Sequence, residues 1–218
     1  RGCRSRVPRP CCLGPKPKWR MIKAPERVEG VALAPADAAR QSQMLIALII
    51  GQICLHSCMT GLRLAAPLQV LRQGHSEWAV GLLLGLFAVA PMVIALPAGR
   101  MTDRLGYHAP MRLAVLLTVF GGALAVGSTW LSDGQWPLLC LSAIFTGAGT
   151  NYGLIAIQRT AGRHASGSTQ LKRVFSWLGL APALANVLGP VLAGVMVDWA
   201  GFRWAYAALA VLPLLGLW

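Results

Sequence analysis

Gln52, His56, Thr60, Arg63 and Pro67 stand at i, i+4, i+8, i+11 and i+15 within a long apolar segment. At about 100° per residue in a helix they fall inside an arc of about 80°. The stripe offers an amide, an imidazole, a hydroxyl and a guanidinium. Such groups hydrogen-bond a polar solute, and a guanidinium also attracts an anion or a carbonyl. Polar and ionisable side chains in an apolar segment are expensive and normally face a partner or a water-filled cavity. The pattern therefore predicts a helix that lines such a cavity. The alternative is that Arg63 snorkels outward and His56 is satisfied by a neighbouring carbonyl, although Arg63 lies deep in the segment for that reach. Asn151, with Gln158 seven residues on, and Asn186, four before Pro190, are further candidates. Each could equally serve to bond helices together. No Asp or Glu falls inside the apolar segments, which leaves His56 as the candidate that titrates near neutral pH.

The elements that must hold this stripe are membrane spans. Of 218 residues, 56% are hydrophobic and 12% charged, and the mean hydropathy is +0.57. A soluble domain of this size needs more charge to cover its surface. Apolar runs recur at 45–70, 78–98, 111–131, 136–157, 174–197 and 203–218, and crossing a bilayer takes about 20 residues. The expected fold is all-α and integral to the membrane, a six-helix transmembrane bundle with short loops. Residues 44–218 form that bundle. Residues 1–43, rich in Arg, Pro, Lys and Ala without a helical period, read as a disordered basic tail. Arg1 in place of a methionine and a last span of only 16 residues, 203–218, read as a fragment. Met21 or Met44 is then a candidate start.

The formal charge of +13 could suggest a nucleic-acid partner, but its distribution argues otherwise. Ten of the 20 Lys and Arg precede residue 44. Arg100, Arg104 and Arg112 fall in the second loop, and Arg159, Arg163, Lys172 and Arg173 in the fourth. The opposite loops hold only Arg72 and Arg203, together with Glu77, Asp133 and Asp198. This alternation obeys the positive-inside rule, so the N-terminus and the loops near 105 and 165 are expected in the cytoplasm, with the lipid bilayer as the chain's environment. The six cysteines show no zinc spacing, and Cys54, Cys58 and Cys140 read as small hydrophobes. No metal or cofactor is expected. Small residues at four-residue spacing predict close helix packing: Gly81 and Gly85; Ala114, Thr118 and Gly122; Ala181, Ala185, Gly189 and Ala193.

Gly99, Asp103, Arg104 and Gly106 spell G-x-x-x-D-R-x-G in the loop between the second and third spans. Glycine permits a tight turn, Asp103 can cap the next helix or pair with a basic residue, and Arg104 can hold a gate. The motif and its place resemble the signature of the major facilitator superfamily. Tyr107 and His108 stand where that family usually has Arg or Lys, and Arg112 follows as a substitute. In the fifth span Gly189-Pro190, with Ala193 and Gly194, resembles the family's G-P-x-x-G-G element of antiporter branches. Gly-Pro there bends the helix. Asp198 to Arg203 resembles the loop that enters the sixth span. The buried Arg that drug-efflux members often carry in the fourth span has no counterpart in 141–149.

The resemblance implies the N-terminal six-span half of a secondary transporter working by alternating access, of efflux or antiport type, in a bacterial inner membrane. Gln52, His56, Thr60, Arg63 and Asn151 would then line the cavity for a small solute, with Arg63 favouring an anionic one. Gly99, Asp103, Arg104, Gly106 and Arg112 would form the gating loop. Asn186, Gly189, Pro190 and Gly194 would set the bend and packing of the fifth helix. The partner would be a C-terminal six-span half. A rival reading is a six-span oligomeric channel with Arg63 lining the pore. H-E-x-x-H, G-x-S-x-G, a P-loop and paired intramembrane carboxylates are all absent from the sequence, so an enzyme is not expected.

Overall fold

The computed structural model describes residues 35–131, 135–164 and 168–217. These residues fold as six α-helices joined by short links: α1 (Pro35–Arg72), α2 (Glu77–Leu105), α3 (His108–Ser128), α4 (Gln135–His164), α5 (Ser168–Ala200) and α6 (Phe202–Val211), the last continued by a 3-10 turn, Leu212–Leu217. The first five are long and apolar enough to cross a membrane, and Phe202–Gly216 is a shorter apolar helix. Helix is the economical answer for such segments, because in hydrocarbon each backbone N–H and C=O must find its partner within the protein. A helix stands at each of the six expected positions, but only the first five have the length of a membrane span. The helix α1 starts earlier than expected and takes in residues 35–43 of the stretch read as an irregular tail. The remainder of that stretch lies outside the described residues.

Glycine sets two of the links. Gly106 at φ 74° ends α2, its N–H donating to the Thr102 carbonyl at 3.2 Å. Gly201 at φ 83° turns α5 into α6. Both positions sit in the left-handed region that side-chain-bearing residues rarely adopt.

The helices pack chiefly as α1 on α5, α3 and α2 on α4, and α6 on α3. Two apolar clusters form the core. One gathers Leu62, Val70, Leu83, Phe87, Leu139, Tyr206 and Leu209 toward the end where α1 meets α2. The other gathers Leu48, Leu55, Met111, Val115, Ile157 and Leu178 toward the end that carries Arg100, Arg104, Arg159 and Arg163. These ends are called here the arginine-poor and arginine-rich ends. Helix α1 is the central helix, with 56% of its apolar window buried, against 22% for α2 and 28% for α5.

The small-residue stripes are only partly packing faces. In α5, Ala181, Ala185, Gly189 and Ala193 are all buried. A Cβ on Gly189 would collide with the Thr60 hydroxyl and lie 2.5 Å from the Ser57 carbonyl, so α1 and α5 cross backbone to backbone there. Gly149 does the same for α3 and α4, where a Cβ would come 2.7 Å from the Ala114 carbonyl. Gly81 and Gly85 depart from the expectation. They have open space where a Cβ would be, on the sparsely buried helix α2. Gly194 likewise faces open space.

Candidate functional site

The polar stripe of α1 splits into two kinds of residue. Gln52 is buried, 1% exposed, and neither its amide nitrogen nor its oxygen has a hydrogen-bond partner. One turn on, His56 is half-buried with its Nδ1 sealed and unpartnered. Arg63, two turns beyond His56, is exposed. Pro67 lacks the N–H that would bond the Arg63 carbonyl, so a backbone acceptor is freed beside the guanidinium. Gln52 and His56 thus retain unspent hydrogen-bonding capacity, and Arg63 stays accessible.

Thr60 and Asn151 do not. The Thr60 hydroxyl donates to the Ala185 carbonyl of α5 at 2.8 Å and is buried. The missing Cβ of Gly189 brings α5 close enough for this bond, so Thr60 serves as a tether between helices and offers little to a cavity. Asn151 Nδ2 donates to the Pro91 carbonyl of α2 at 2.8 Å. That bond ties α4 to α2 near the turn that Pro91 disrupts. Asn186 is exposed on α5, and Gln158 is exposed on α4. Pro190 sits inside α5, which continues past it to Ala200.

The motif at 99–106 builds a charged latch. Asp103, at the end of α2, pairs with Arg159 of α4 and lies 3.4 Å from Arg163 Nη2 one turn further along the same helix. Gly99 makes the room: a Cβ there would stand 3.1 Å from Arg159 Nη2. Of the two roles open to Asp103, pairing with basic residues is the one observed. The residue preceding α3 is Tyr107, and it makes no side-chain cap. Arg104 and Arg112 are exposed. Tyr107 is half-buried beside the second core cluster, and burial pushes its phenol above the ordinary range, so it stays neutral at physiological pH.

Two features escape the motif-based reading. Arg159 and Arg163 count in the sequence only as loop charges, yet their i, i+4 spacing places both on the face that meets Asp103. At the arginine-poor end, Gln69 receives a hydrogen bond from the Tyr206 hydroxyl at 2.7 Å and donates to Gln135 Oε1 at 3.0 Å and Ser128 Oγ at 3.5 Å. Gln73 also donates to Gln135 Oε1. Nearby, Arg72 lies over the Phe202 ring at 5.1 Å and Arg203 over the Trp130 ring at 4.4 Å.

Known proteins resemble this chain in sequence. The chain is 27% identical over 197 residues to sugar efflux transporter A of Dickeya chrysanthemi, an alignment covering 88% of this chain and 49% of the relative. It is 29% identical over 114 residues to the class B tetracycline resistance protein of Escherichia coli, covering 52% and 27%. It is 25% identical over 138 residues to the inner membrane transport protein YajR of Escherichia coli K12, covering 63% and 29%. The chain thus spans about half the length of these relatives or less. The Major Facilitator Superfamily profile matches residues 48–218, the stretch that holds the polar face, the latch and the helix crossings, and the chain belongs to that family.

Proposed function

We propose that this bundle is the N-terminal half of a secondary active transporter that exports a small solute by alternating access, paired with a second six-helix half. The observation that carries this reading is the exposed Arg63, set on a polar face of a central helix among otherwise apolar surroundings. A cation kept there, with Gln52 and His56 below it, suits a solute bearing a carboxylate, carbonyl or hydroxyl. The sparsely buried helices α2 and α5 would flank that face and meet the second half. The relatives, about twice as long as this chain or longer, supply the room for it. Asp103, Arg159 and Arg163 would close the cytoplasmic side, with Gly99 and Gly106 shaping the loop and Arg104 and Arg112 beside them. The positive-inside pattern supports a cytoplasmic position for that end.

The test is counterflow in proteoliposomes of the full-length protein, with radiolabelled lactose and tetracycline as probes, chosen because one relative is named a sugar efflux transporter and another a tetracycline resistance protein. Saturable exchange of either probe is expected, and Arg63→Ala should reduce it at least about tenfold, the equivalent of about 1.4 kcal/mol, at unchanged membrane abundance. Full exchange by Arg63→Ala would remove Arg63 from the site. Non-saturable flux that follows the electrochemical gradient would replace the transporter by a channel.

A further inference from the structure

Pairs of prolines interrupt two helices of this bundle, and the bundle holds them differently. Helix α5 carries Pro182 and Pro190, and α2 carries Pro91 and Pro97. Each proline lacks the N–H that would bond the carbonyl four residues back, and sharp helix bends concentrate at such positions. In α5 the weakened turns are pinned. Ala181, Ala185, Gly189, Ala193 and Val197 are buried, one in every turn, and the Thr60 hydroxyl of α1 donates to the Ala185 carbonyl between the two prolines.

In α2 they are not. Leu83, Phe87 and Ala90 are buried before Pro91, and Ala98, Gly99 and Thr102 after Pro97. No residue from 91 to 97 is buried, and Met92, Val93 and Leu96 are 81%, 69% and 74% exposed. The helix therefore lifts off the bundle over the stretch where its own ladder lacks the bonds to the Phe87 and Val93 carbonyls. Its two anchored parts also differ. The first packs Leu83 and Phe87 into the core with Leu139 and Ala143 of α4, and Trp78 meets Trp136 edge to face. The second is held to α4 through Gly99 and the half-exposed pair of Asp103 and Arg159.

Helix α4 meets the boundary between these parts at two residues. Asn151 Nδ2 donates to the Pro91 carbonyl at 2.8 Å. One turn earlier, a Cβ on Gly147 would lie 3.0 Å from the freed Phe87 carbonyl oxygen and 3.3 Å from Pro91 Cδ. Gly147 thus lets the backbones approach and brings the Pro91 carbonyl within reach of Asn151. We propose that α2 is hinged at Pro91, that its arm from Met92 to Leu105 swings off α4 when the Asp103 latch releases, and that Asn151 is the positioning residue that catches the arm in the closed state. A hinge absorbs its change in a few residues, and those from Pro91 to Pro97 are the ones free to do so. The rest of the bundle, the first part of α2 included, stays one body. The place of the swing in export rests on the transport reading above, whereas the hinge itself does not. At about 1.5 Å per residue the arm is about 21 Å long, so a bend of about 20° carries its tip about 7 Å.

The experiment is double electron–electron resonance on the full-length protein in lipid nanodiscs, with its native cysteines replaced by alanine. Nitroxides on Leu105→Cys paired with Ile46→Cys of α1, and on Leu105→Cys paired with Trp177→Cys of α5, read the arm from two directions. Leu82→Cys paired with Trp199→Cys reads the first part of α2 as a reference. The arm pairs are expected to show a second distance, displaced by up to about 7 Å, and the reference pair a single one. The second population should grow about threefold or more in Asn151→Leu, the scale of one lost hydrogen bond, and should grow also in Asp103→Asn. It should vanish in Pro91→Ala, which restores the N–H to the Phe87 carbonyl, and stay unchanged in Pro190→Ala. Asn151→Leu and Pro91→Ala act in opposite directions, so poor folding of one leaves the other to decide. A single, unmoved arm distance in the wild type, Asn151→Leu and Asp103→Asn overturns the hinge, as does a second population that survives Pro91→Ala. A second population that ignores Asn151→Leu removes Asn151 as the catch. Two populations in the reference pair would show the whole bundle loosening, which overturns the hinge equally. Failed counterflow would refute the transport reading alone, because the distances are read without solute.

Discussion

The two ends of the bundle are fastened by different chemistry. At the arginine-poor end the fastening is neutral and buried. Gln69 and Tyr206, 4% and 0% exposed, join α1 to α6, and Gln135 and Ser128 bring in α4 and α3. At the arginine-rich end it is ionic and half-exposed. Asp103, Arg159 and Arg163 keep 49%, 43% and 53% of their side chains accessible and join only α2 to α4. A buried, satisfied amide and hydroxyl network is insensitive to salt and resists opening, because each group released inside the bundle loses its partner. An exposed ion pair contributes about 0–1 kcal/mol and is replaced by water and counter-ions at little cost. One end should thus resist separation more than the other, as the gating proposed above requires. That division suits a half-transporter that moves as a body and is gated on one side.

The sharpest way to break the comparison is Gln69→Leu. The substitution removes every bond that Gln69 makes and strands the Tyr206 hydroxyl in a buried site, while Gln135 keeps its bond from Gln73. A loss of roughly 3 kcal/mol is expected from the unpaired hydroxyl and the bonds removed, read as a lower Tm in detergent by tryptophan fluorescence. Tyr206→Phe is gentler. It keeps the ring within the core and deprives Gln69 of one donor, for a loss of about 1–2 kcal/mol. Neither loss should depend on ionic strength. A salt-dependent loss in either variant would show that the knot is wetter than its burial implies.

The fold was legible because the bilayer imposes a coarse code. Apolar runs of bilayer length, glycines at 106 and 201 and the arginine alternation locate the helices without knowledge of any contact. The latch was half legible: Gly99, Asp103 and Gly106 follow from the motif, whereas Arg159 requires knowing that α4 lies against α2. Thr60 and Asn151 show the limit most clearly. Helical periodicity put Thr60 on the polar face, and the geometry agrees, yet its partner is the backbone carbonyl of Ala185. Every residue has such a carbonyl, so no pattern of side chains announces which one is within reach. Gln69 was missed for the complementary reason. It lies off the Gln52–Arg63 stripe, and its partners, Ser128, Gln135 and Tyr206, are 59, 66 and 137 residues away. The short turn after α1 also needs Gly74 at φ 79°, a role the sequence reading left unassigned.

The smallest expected effect on stability is at the latch, and it should be the most informative for mechanism. Asp103→Asn leaves Arg159 and Arg163 facing each other one helical turn apart, with an uncharged acceptor between them. Stability should fall by less than about 1 kcal/mol at low salt, and by less still near 1 M salt, where the Debye length is only about 3 Å. Exchange of lactose or tetracycline should nonetheless change more than Tm does, because an end held by one shared carboxylate loses its closed-state bias with it. Arg163→Gln should do least, since Arg163 holds Asp103 only at 3.4 Å while Arg159 makes the direct pair. The ranking Asp103→Asn, Arg159→Gln, Arg163→Gln in exchange rate, with Tm nearly constant, is the pattern of a gate. A ranking that follows Tm instead would make the motif a second structural clamp, and the difference between the two ends would then be one of strength alone.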